Sequence, residues 1–299
     1  MHLSSAQQQQ FHREGYLMVR QVLCAADLSP VICEYEAHID RRARELHAEG
    51  SLSRLYANEP FERRLACICR EDNRLYRELD IMHLRGPAVF AFLRNDRLLD
   101  VVEDLVGPEI TCSPIQHLRP KLPAGLSPEG SDTHVAPWHQ DAGVTWAEAD
   151  PHFILTVWIP LSPATPDNGC LQVVPGGVGK GLVPHEIRKG VGTTIAEPVP
   201  EEEAVTLPML PGDVLLMHKE VPHRSTPNRS DTIRWRMDLR YQATGTPTGR
   251  PFHPDFVVRS RADPGAVLTD HAEWCRLWIE ALERTRQGGY RAHRWAEAG

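Results

Sequence analysis

The segment Pro137-Trp138-His139-Gln140-Asp141 constrains this chain more than any other stretch. A histidine and a carboxylate two residues apart point the same way on an extended strand, where the side-chain period is two, and diverge on a helix. A distant second histidine, His223, would complete a set of two histidines and one carboxylate. Such a set occupies one face of an octahedral metal and leaves the other face open to further ligands. We therefore predict that His139, Asp141 and His223 bind Fe(II).

The other histidines provide comparisons for this pattern. Two further His-x-Asp triplets begin at His38, in a segment with helical periodicity, and at His253, in a proline-rich stretch without a strand pattern. Neither context would place both side chains on one face. His218 ends a predicted strand five residues before His223, so spacing alone leaves two candidates for the third ligand.

Composition narrows the class of protein. The chain has 299 residues, of which 41% are hydrophobic and 24% charged, as in ordinary globular proteins. Its net charge of -7 argues against nucleic acid or an anionic membrane as the main partner. No apolar run approaches about 18 residues, and no secretory signal is recognisable. Seven scattered cysteines suggest reduced thiols, so we expect a cytoplasmic protein. We expect its partner to be a small molecule. Its oligomeric state stays open.

The order of patterns predicts one domain over 1–299, with a mostly helical part at 1–107, a β core at 108–242 and a helical extension at 243–299. Helices are expected at Asp27 to Glu49, Asp96 to Val106 and Asp270 to Arg286, the last with a tryptophan and leucine stripe. The residues from Phe153 to Leu161 are apolar on both faces, which is typical of a central strand. Short strands with frequent turns, including one from Arg234 to Gln242, favour a mainly β sandwich or closed roll. The length of the loop 120–137 is typical of a lid or a binding loop.

Several motifs in a fixed order are similar to those of the phytanoyl-CoA dioxygenase family, which consists of iron(II)- and 2-oxoglutarate-dependent oxygenases. The resemblance covers roughly Ser5 to Gln242. It implies a double-stranded β-helix (a cupin-like jelly roll) with N-terminal and C-terminal helices packed outside. The motifs are Trp138-His139-Gln140-Asp141, Asn168-Gly169-Cys170-Leu171, Pro175-Gly176, Pro211-Gly212-Asp213, His223 with Ser225, Arg234, and Arg240-Tyr241.

The resemblance also implies roles for individual residues. It favours His223 over His218, because a serine follows His223 by two residues and an arginine by eleven. Arg234 would bind the far carboxylate of the cosubstrate 2-oxoglutarate, since a guanidinium matches a carboxylate with two hydrogen bonds. Ser225 would add a hydroxyl to that carboxylate.

Two further residues keep an alternative. Trp158 is either a core tryptophan or packs against 2-oxoglutarate, and Gln116 is either a polar strand residue or a cosubstrate contact. Relatives often carry Ser-His after Pro-Gly, whereas Gly177-Val178 follow here. The stretch 179–203 is therefore hard to align, and we expect of it only that His185 lies near the pocket.

The predicted reaction consumes O2 and 2-oxoglutarate, releases succinate and CO2, and hydroxylates a small-molecule metabolite. Some relatives are halogenases, in which a small residue replaces the metal carboxylate; Asp141 fills that position here. Desaturation or ring formation is compatible with the same site. The alternatives are a non-catalytic metal-binding jelly-roll module and a cupin-type metalloenzyme that does not use 2-oxoglutarate.

The last predicted strand alternates charged and apolar residues. If Arg234 points inward, Arg236, Asp238 and Arg240 point inward too, because side chains alternate along a strand. The apolar residues between them then pack against the N-terminal helices. Buried charges need partners, so we expect Asp238 to pair with a neighbouring arginine. Arg236 either meets a carboxylate or phosphate of the substrate or belongs to a pair that only fills space.

Overall fold

The computed structural model describes residues 1–126, 135–288 and 294–295. Within them the chain forms six α-helices and twelve strands. The helices are α1 (Ser5–Glu14), α2 (Ala25–Ala48), α3 (Phe61–Cys69), α4 (Pro87–Phe92), α5 (Asp96–Val106) and α6 (His271–Gln287). The strands are β1 (Tyr16–Val19), β2 (Glu109–Cys112), β3 (His117–Lys121), β4 (Ile154–Pro160), β5 (Leu171–Val173), β6 (His185–Arg188), β7 (Gly192–Ile195), β8 (Val205–Leu207), β9 (Val214–His218), β10 (His223–Ser225), β11 (Arg234–Ala243) and β12 (Phe256–Ser260).

Local signals set the ends of the helices. Ser4 caps α1 in a reciprocal capping box with Gln7, and Gly15 ends it in the left-handed conformation that glycine adopts without steric cost. Asn95 accepts a hydrogen bond from the Leu98 amide at the start of α5. The described residues include no helix that is long and apolar enough to cross a membrane.

The strands form two antiparallel sheets and a separate hairpin. The larger sheet has the order β1-β9-β4-β11-β2-β12, with β3 also paired to β11, and the smaller sheet has the order β10-β5-β8. Strands β6 and β7 pair only with each other among the described residues. This mainly antiparallel arrangement with flanking helices confirms the predicted fold class. Strands β1 and β12 come from the helical segments on either side of 108–242 and extend the larger sheet.

Side-chain alternation separates two packing layers. From β11, Trp235, Met237 and Leu239 lie in the main core with the helices, and Trp235 stacks on Phe61 of α3 at 4.6 Å. On its opposite face the larger sheet packs against the smaller one, through Trp158 and residues of β5, β8 and β9. Because the strand period is two, the apolar set of β11 faces the helices and its charged set faces the space between the sheets. This is the arrangement predicted for β11.

Several elements differ from the sequence-based expectation. Strand β3 continues through Pro120, which the prediction gave to the long loop 120–137. A proline is tolerated there because β3 pairs only with β11 in the described sheet, so its other side needs no amide donor. The hairpin β6–β7 lies in the stretch 179–203, for which no strand was predicted, and β12 lies in the segment predicted to be a helical extension. Residues 127–134 of the predicted loop lie outside the described residues.

Candidate active site

Three side chains converge between the two sheets. The ligand atoms of His139, Asp141 and His223 all lie within 4.8 Å of one another. Asp141 Oδ1 is 3.9 Å from His139 Nε2 and 4.0 Å from His223 Nε2, and the two imidazole rings are 4.2 Å apart at their centroids. Two imidazoles and one carboxylate at this separation form a donor set suited to a divalent transition metal.

The backbone fixes this convergence. His139 and His223 form an isolated antiparallel bridge, in which each amide donates to the carbonyl of the other at 3.0 and 2.9 Å. The backbone at Gln140 is extended, as predicted, but Asp141 then opens a 3-10 turn, Asp141–Val144, so no continuous strand carries both ligands. The turn is held by the Ala142 amide, which donates to the carbonyl of Lys219. One extended residue is enough to place both side chains on the same side.

Both histidines are oriented for metal binding. His139 Nδ1 donates to the Pro137 carbonyl at 2.8 Å, and His223 Nδ1 donates to the Val221 carbonyl at 3.0 Å. Since a carbonyl oxygen only accepts, the proton lies on Nδ1 in each ring, and each Nε2 lone pair is left for a ligand. Burial and the nearby His223 lower the pKa of His139 to about 4, which favours the neutral imidazole that a metal requires.

Asp141 is held as a carboxylate in a buried site. Arg240 donates to Oδ1 at 2.5 Å, and the Thr156 hydroxyl donates to Oδ2. Burial alone would raise the pKa of Asp141, but the Arg240 guanidinium outweighs burial and holds this pKa well below its usual range. These partners fix the orientation of the carboxylate as well as its charge.

The triad opens into a cavity of about 310 Å³. Trp158 lines the cavity from β4, and Arg236, Asp238 and Arg240 line it from β11. A smaller adjoining cavity of about 80 Å³ shares Ser225 and Arg236 with the larger one. The metal triad and a cationic region therefore belong to one connected site.

The smaller cavity is dominated by buried positive charge. Arg234 is 2% exposed, and its Nε and Nη1 atoms lack a hydrogen-bond partner among the described residues. Its guanidinium carbon lies 5.2 Å from the centroid of the Trp158 ring. Lys121 is 3% exposed and donates to Ser225 Oγ at 2.8 Å. An anion in this cavity would supply the missing partner.

Lys121 is a candidate functional residue that the sequence did not single out. Burial, together with Arg234 and then Arg236, lowers the pKa of Lys121 to about 6. Ser225 Oγ also accepts from the Ala136 amide at 2.9 Å, so its own hydrogen remains available to an acceptor. Lysine at the end of a short polar strand is an ordinary surface pattern, and only the pairing with Arg234 across strands reveals its position.

Other predicted residues lie elsewhere. Gln116 is buried just before β3, where its side-chain amide donates to the Ser113 carbonyl at 2.6 Å. It is not among the residues that line the larger cavity. His218 stacks on Phe153 at 5.2 Å and takes no part in the triad. His185 Nε2 accepts from the Gln140 amide at 3.0 Å, so it supports the segment between two triad residues from behind.

Arg236 and Asp238 form the ion pair that the sequence suggested. Arg236 Nη1 lies 3.0 Å from one carboxylate oxygen of Asp238, and Arg240 Nη1 lies 3.3 Å from the other. Asp238 thus connects Arg236 with the arginine that holds Asp141.

Comparison with known proteins agrees with this geometry. The model of the family described as "Phytanoyl-CoA dioxygenase (PhyH)" matches residues 11–236. A probable phytanoyl-CoA dioxygenase of Caenorhabditis elegans is 29% identical over 163 residues, which cover 52% of this chain and 51% of that protein. The 1-deoxypentalenic acid 11-beta-hydroxylase of Streptomyces arenae is 32% identical over 141 residues, which cover 44% of this chain and 47% of the relative. The chain thus spans about half the length of these curated relatives.

Solved structures share the fold at low identity. The non-heme monooxygenase ThoJ, without metal, aligns with a TM-score of 0.62 at 21% identity and covers 93% of this chain and 98% of its own. EctD from S. alaskensis, with 2-oxoglutarate and 5-hydroxyectoine, aligns with a TM-score of 0.52 at 21% identity and covers 82% and 77%. Because the family model matches more than half of the sequence, the chain belongs to the phytanoyl-CoA dioxygenase family, a family of iron(II)- and 2-oxoglutarate-dependent oxidoreductases.

Proposed function

We propose that the protein is an Fe(II)- and 2-oxoglutarate-dependent dioxygenase that hydroxylates a small-molecule metabolite and releases succinate and CO2. The observation that carries this proposal is the union of two features in one cavity. A histidine–aspartate–histidine set has both Nε2 atoms available, and the described residues that line the buried cationic region include no carboxylate. A metal would bind the available Nε2 atoms and the Asp141 carboxylate, and a dicarboxylate would pair with the cationic region.

In this proposal His139, Asp141 and His223 hold the iron, which when bound supplies the activation of O2. The donor set fits Fe(II), because three protein ligands leave the other coordination positions open. Arg240 and Thr156 keep the Asp141 carboxylate charged and oriented. Since Asp141 occupies the position that halogenases leave to chloride, hydroxylation is the proposed reaction.

The cosubstrate 2-oxoglutarate fits the cationic region. Its far carboxylate would accept from Arg234 and Lys121 and from the free hydrogen of the Ser225 hydroxyl. Trp158 closes one side and excludes water, which strengthens these charge-assisted bonds. A cosubstrate contact of Gln116 stays a prediction that its position outside the cavity does not support.

An anaerobic titration tests the proposal. Fe(II) and 2-oxoglutarate added together to the wild-type protein are expected to give a visible charge-transfer band, and His139→Ala is expected to lose the band and the iron. When O2 is then admitted, the wild type is expected to release succinate and His139→Ala is not. His218→Ala is the matched control, because His218 is the neighbouring half-buried histidine outside the triad. A band of equal intensity in His139→Ala would contradict the proposed ligand set.

The alternatives give different results in the same assay. A non-catalytic metal-binding module would bind iron without the band or succinate release, and a cupin-type metalloenzyme would turn over without 2-oxoglutarate. Screening metabolites for stimulated succinate release would then identify the substrate. We place the reaction in the cytoplasm, a proposal supported by seven cysteines that are all free and hence suited to a reducing compartment.

A further inference from the structure

Two pairs of like charges face each other across neighbouring strands at the active site. In the register of β3 with β11, Lys121 lies opposite Arg234, and Arg119 lies opposite Arg236. These four side chains line the smaller cavity together. Like charges directly opposite in a sheet are destabilising. An arrangement with two such pairs in succession therefore requires negative charge from another source.

The nearby carboxylates supply only part of this negative charge. Asp80 accepts from Arg119 at 2.6 Å and also binds His117. Asp238 is shared between Arg236 and Arg240, and Arg240 is already committed to Asp141. No carboxylate pairs with Lys121 or Arg234 among residues 1–126, 135–288 and 294–295. Each of these acids is therefore already paired with at least one arginine, and Asp238 is paired with two.

The surplus of positive charge persists when the proposed metal and cosubstrate are included. Leaving Arg250 aside, the described residues that line the two cavities include five lysine and arginine side chains and two carboxylates, and Asp80 adds a third carboxylate through Arg119. The two positive charges of Fe(II) and the two negative charges of 2-oxoglutarate cancel. Buried charge of one sign without compensation is costly, so a further anion fits this cavity better than a neutral molecule.

The two cationic pairs differ in their access to solvent. Lys121 and Arg234 are almost fully buried, whereas the Arg119 side chain is 45% exposed and that of Arg236 is 15% exposed. Residues two apart on a strand are roughly 7 Å apart, so one pair cannot substitute for the other. The deep pair lies beside Ser225 and suits the cosubstrate, and the outer pair is the one that solvent reaches.

We propose that Arg119 and Arg236 form a second oxyanion subsite, which binds a carboxylate or phosphate group of the substrate. This inference rests on the proposed function, because it assigns the deep pair to 2-oxoglutarate. It restricts the substrate to small organic acids or phosphorylated metabolites and excludes cationic ones. The Arg236–Asp238 ion pair then orients the guanidinium, and Asp80 does the same for Arg119.

Two successive calorimetric titrations test the subsite. Protein loaded with Ni(II), which does not turn over, is first titrated with 2-oxoglutarate; it is then titrated with inorganic phosphate, butyrate or the neutral butyramide at constant ionic strength. The wild type is expected to bind at least one of the two anions and not butyramide. Arg119→Met and Arg236→Met are each expected to raise the Kd for that anion at least tenfold, while the Kd for 2-oxoglutarate stays within about twofold.

Matched variants separate the subsite from general effects of charge. Arg261→Met removes an exposed arginine that pairs with Glu103 far from the cavity, and it is expected to bind the anion as the wild type does. Arg236→Lys keeps the charge without the planar fork, so an intermediate Kd is expected, and the partly exposed Arg119 provides a second variant beside the more buried Arg236. Selective binding of phosphate indicates a phosphorylated substrate, and selective binding of butyrate indicates a carboxylic acid.

Other outcomes overturn the inference. Anion binding no tighter than that of butyramide, or a Kd for the anion in both methionine variants that equals the wild-type value, contradicts a subsite at this pair. Loss of 2-oxoglutarate binding in Arg236→Met assigns the outer pair to the cosubstrate instead. A wild type that fails the first titration contradicts the proposed function itself, which distinguishes the two failures.

Discussion

The two ends of the cavity differ in how their buried charges are partnered. At the metal end, Asp141 accepts from both Arg240 and Thr156, and each triad histidine donates its Nδ1 proton to a backbone carbonyl. At the cationic end, Lys121 and Arg234 face each other, and Lys121 donates only to a neutral hydroxyl.

This difference separates two kinds of binding site. A polar network whose members satisfy one another keeps its geometry without a ligand, so the metal end is preorganised. At the cationic end, burial and Arg234 lower the pKa of Lys121 to about 6, so the folded protein carries the cost of a displaced proton until a bound anion favours the ammonium form again. Substitutions at the first end should weaken metal binding, and substitutions at the second should alter anion binding and its proton balance.

The strongest test of this contrast is Arg234→Met. Losing a buried charge partner of a carboxylate costs about 2–5 kcal/mol, so we expect the Kd for 2-oxoglutarate to rise roughly thirtyfold or more. Iron affinity should stay unchanged, because Arg234 makes no contact with the triad. Equilibrium titrations with Fe(II) and then 2-oxoglutarate under anaerobic conditions measure both constants.

Arg224→Met is the control for that variant. Arg224 precedes Ser225 on β10, but its guanidinium lies over Trp138 and pairs with Glu201, outside the cavity. We expect it to bind 2-oxoglutarate as the wild type does. An unchanged Kd in Arg234→Met would shift the cosubstrate to Lys121, Arg236 or Arg240.

The sequence predicted those parts of the site that depend on local periodicity or on ordered motifs. The spacing of His139 and Asp141 required an extended Gln140, which the structure has. Parity along β11 predicted that its charged residues share the cavity face and that Asp238 pairs with an arginine, and both features are present. The choice of His223 over His218 came from the order of motifs, since both histidines end or begin a short strand.

The features that were missed depend on contacts between distant segments. Lys121 is a candidate cosubstrate contact because it lies opposite Arg234. The register that pairs these two strands, which are more than a hundred residues apart, cannot be deduced from the sequence of either strand alone. The hydrogen bond from Arg240 to Asp141 joins β11 to the 3-10 turn for the same reason. Strand β12 forms because β2 offers it a partner edge, although proline-rich sequence precedes it.

A similar or smaller effect is expected at the metal end from Arg240→Met. This change leaves Asp141 bound only to Thr156 and removes the positive charge that most favours its ionised form. Outer-shell partners of metal ligands are typically worth about 10–100-fold in metal affinity, so we expect the Kd for Ni(II) to rise by such a factor. Competition with a chromophoric chelator measures it, with Arg261→Met as the control, and an unchanged Kd would contradict the role of Arg240.

The last test concerns the proton balance of the cationic end, through Lys121. Its pKa, lowered to about 6, lies far below that of an exposed lysine, so at pH 8 the ligand-free site is mostly neutral at this position. A bound dicarboxylate favours the ammonium form and raises this pKa again. Binding of 2-oxoglutarate at pH 8 should therefore take up as much as one proton, and its affinity should fall as the pH rises above 6.

The same shift sets how stability depends on pH. Between about pH 6 and 10 the unfolded chain binds the proton that the folded, ligand-free protein has lost, so the free energy of unfolding should rise with pH across this window. Lys121→Met removes the titrating group, and we expect a flatter stability profile and no proton uptake on binding. Calorimetry in two buffers of different ionisation enthalpy measures the uptake, and Lys180→Met, at an exposed lysine, should behave as the wild type. Equal uptake by Lys121→Met and the wild type would show that the proton resides elsewhere.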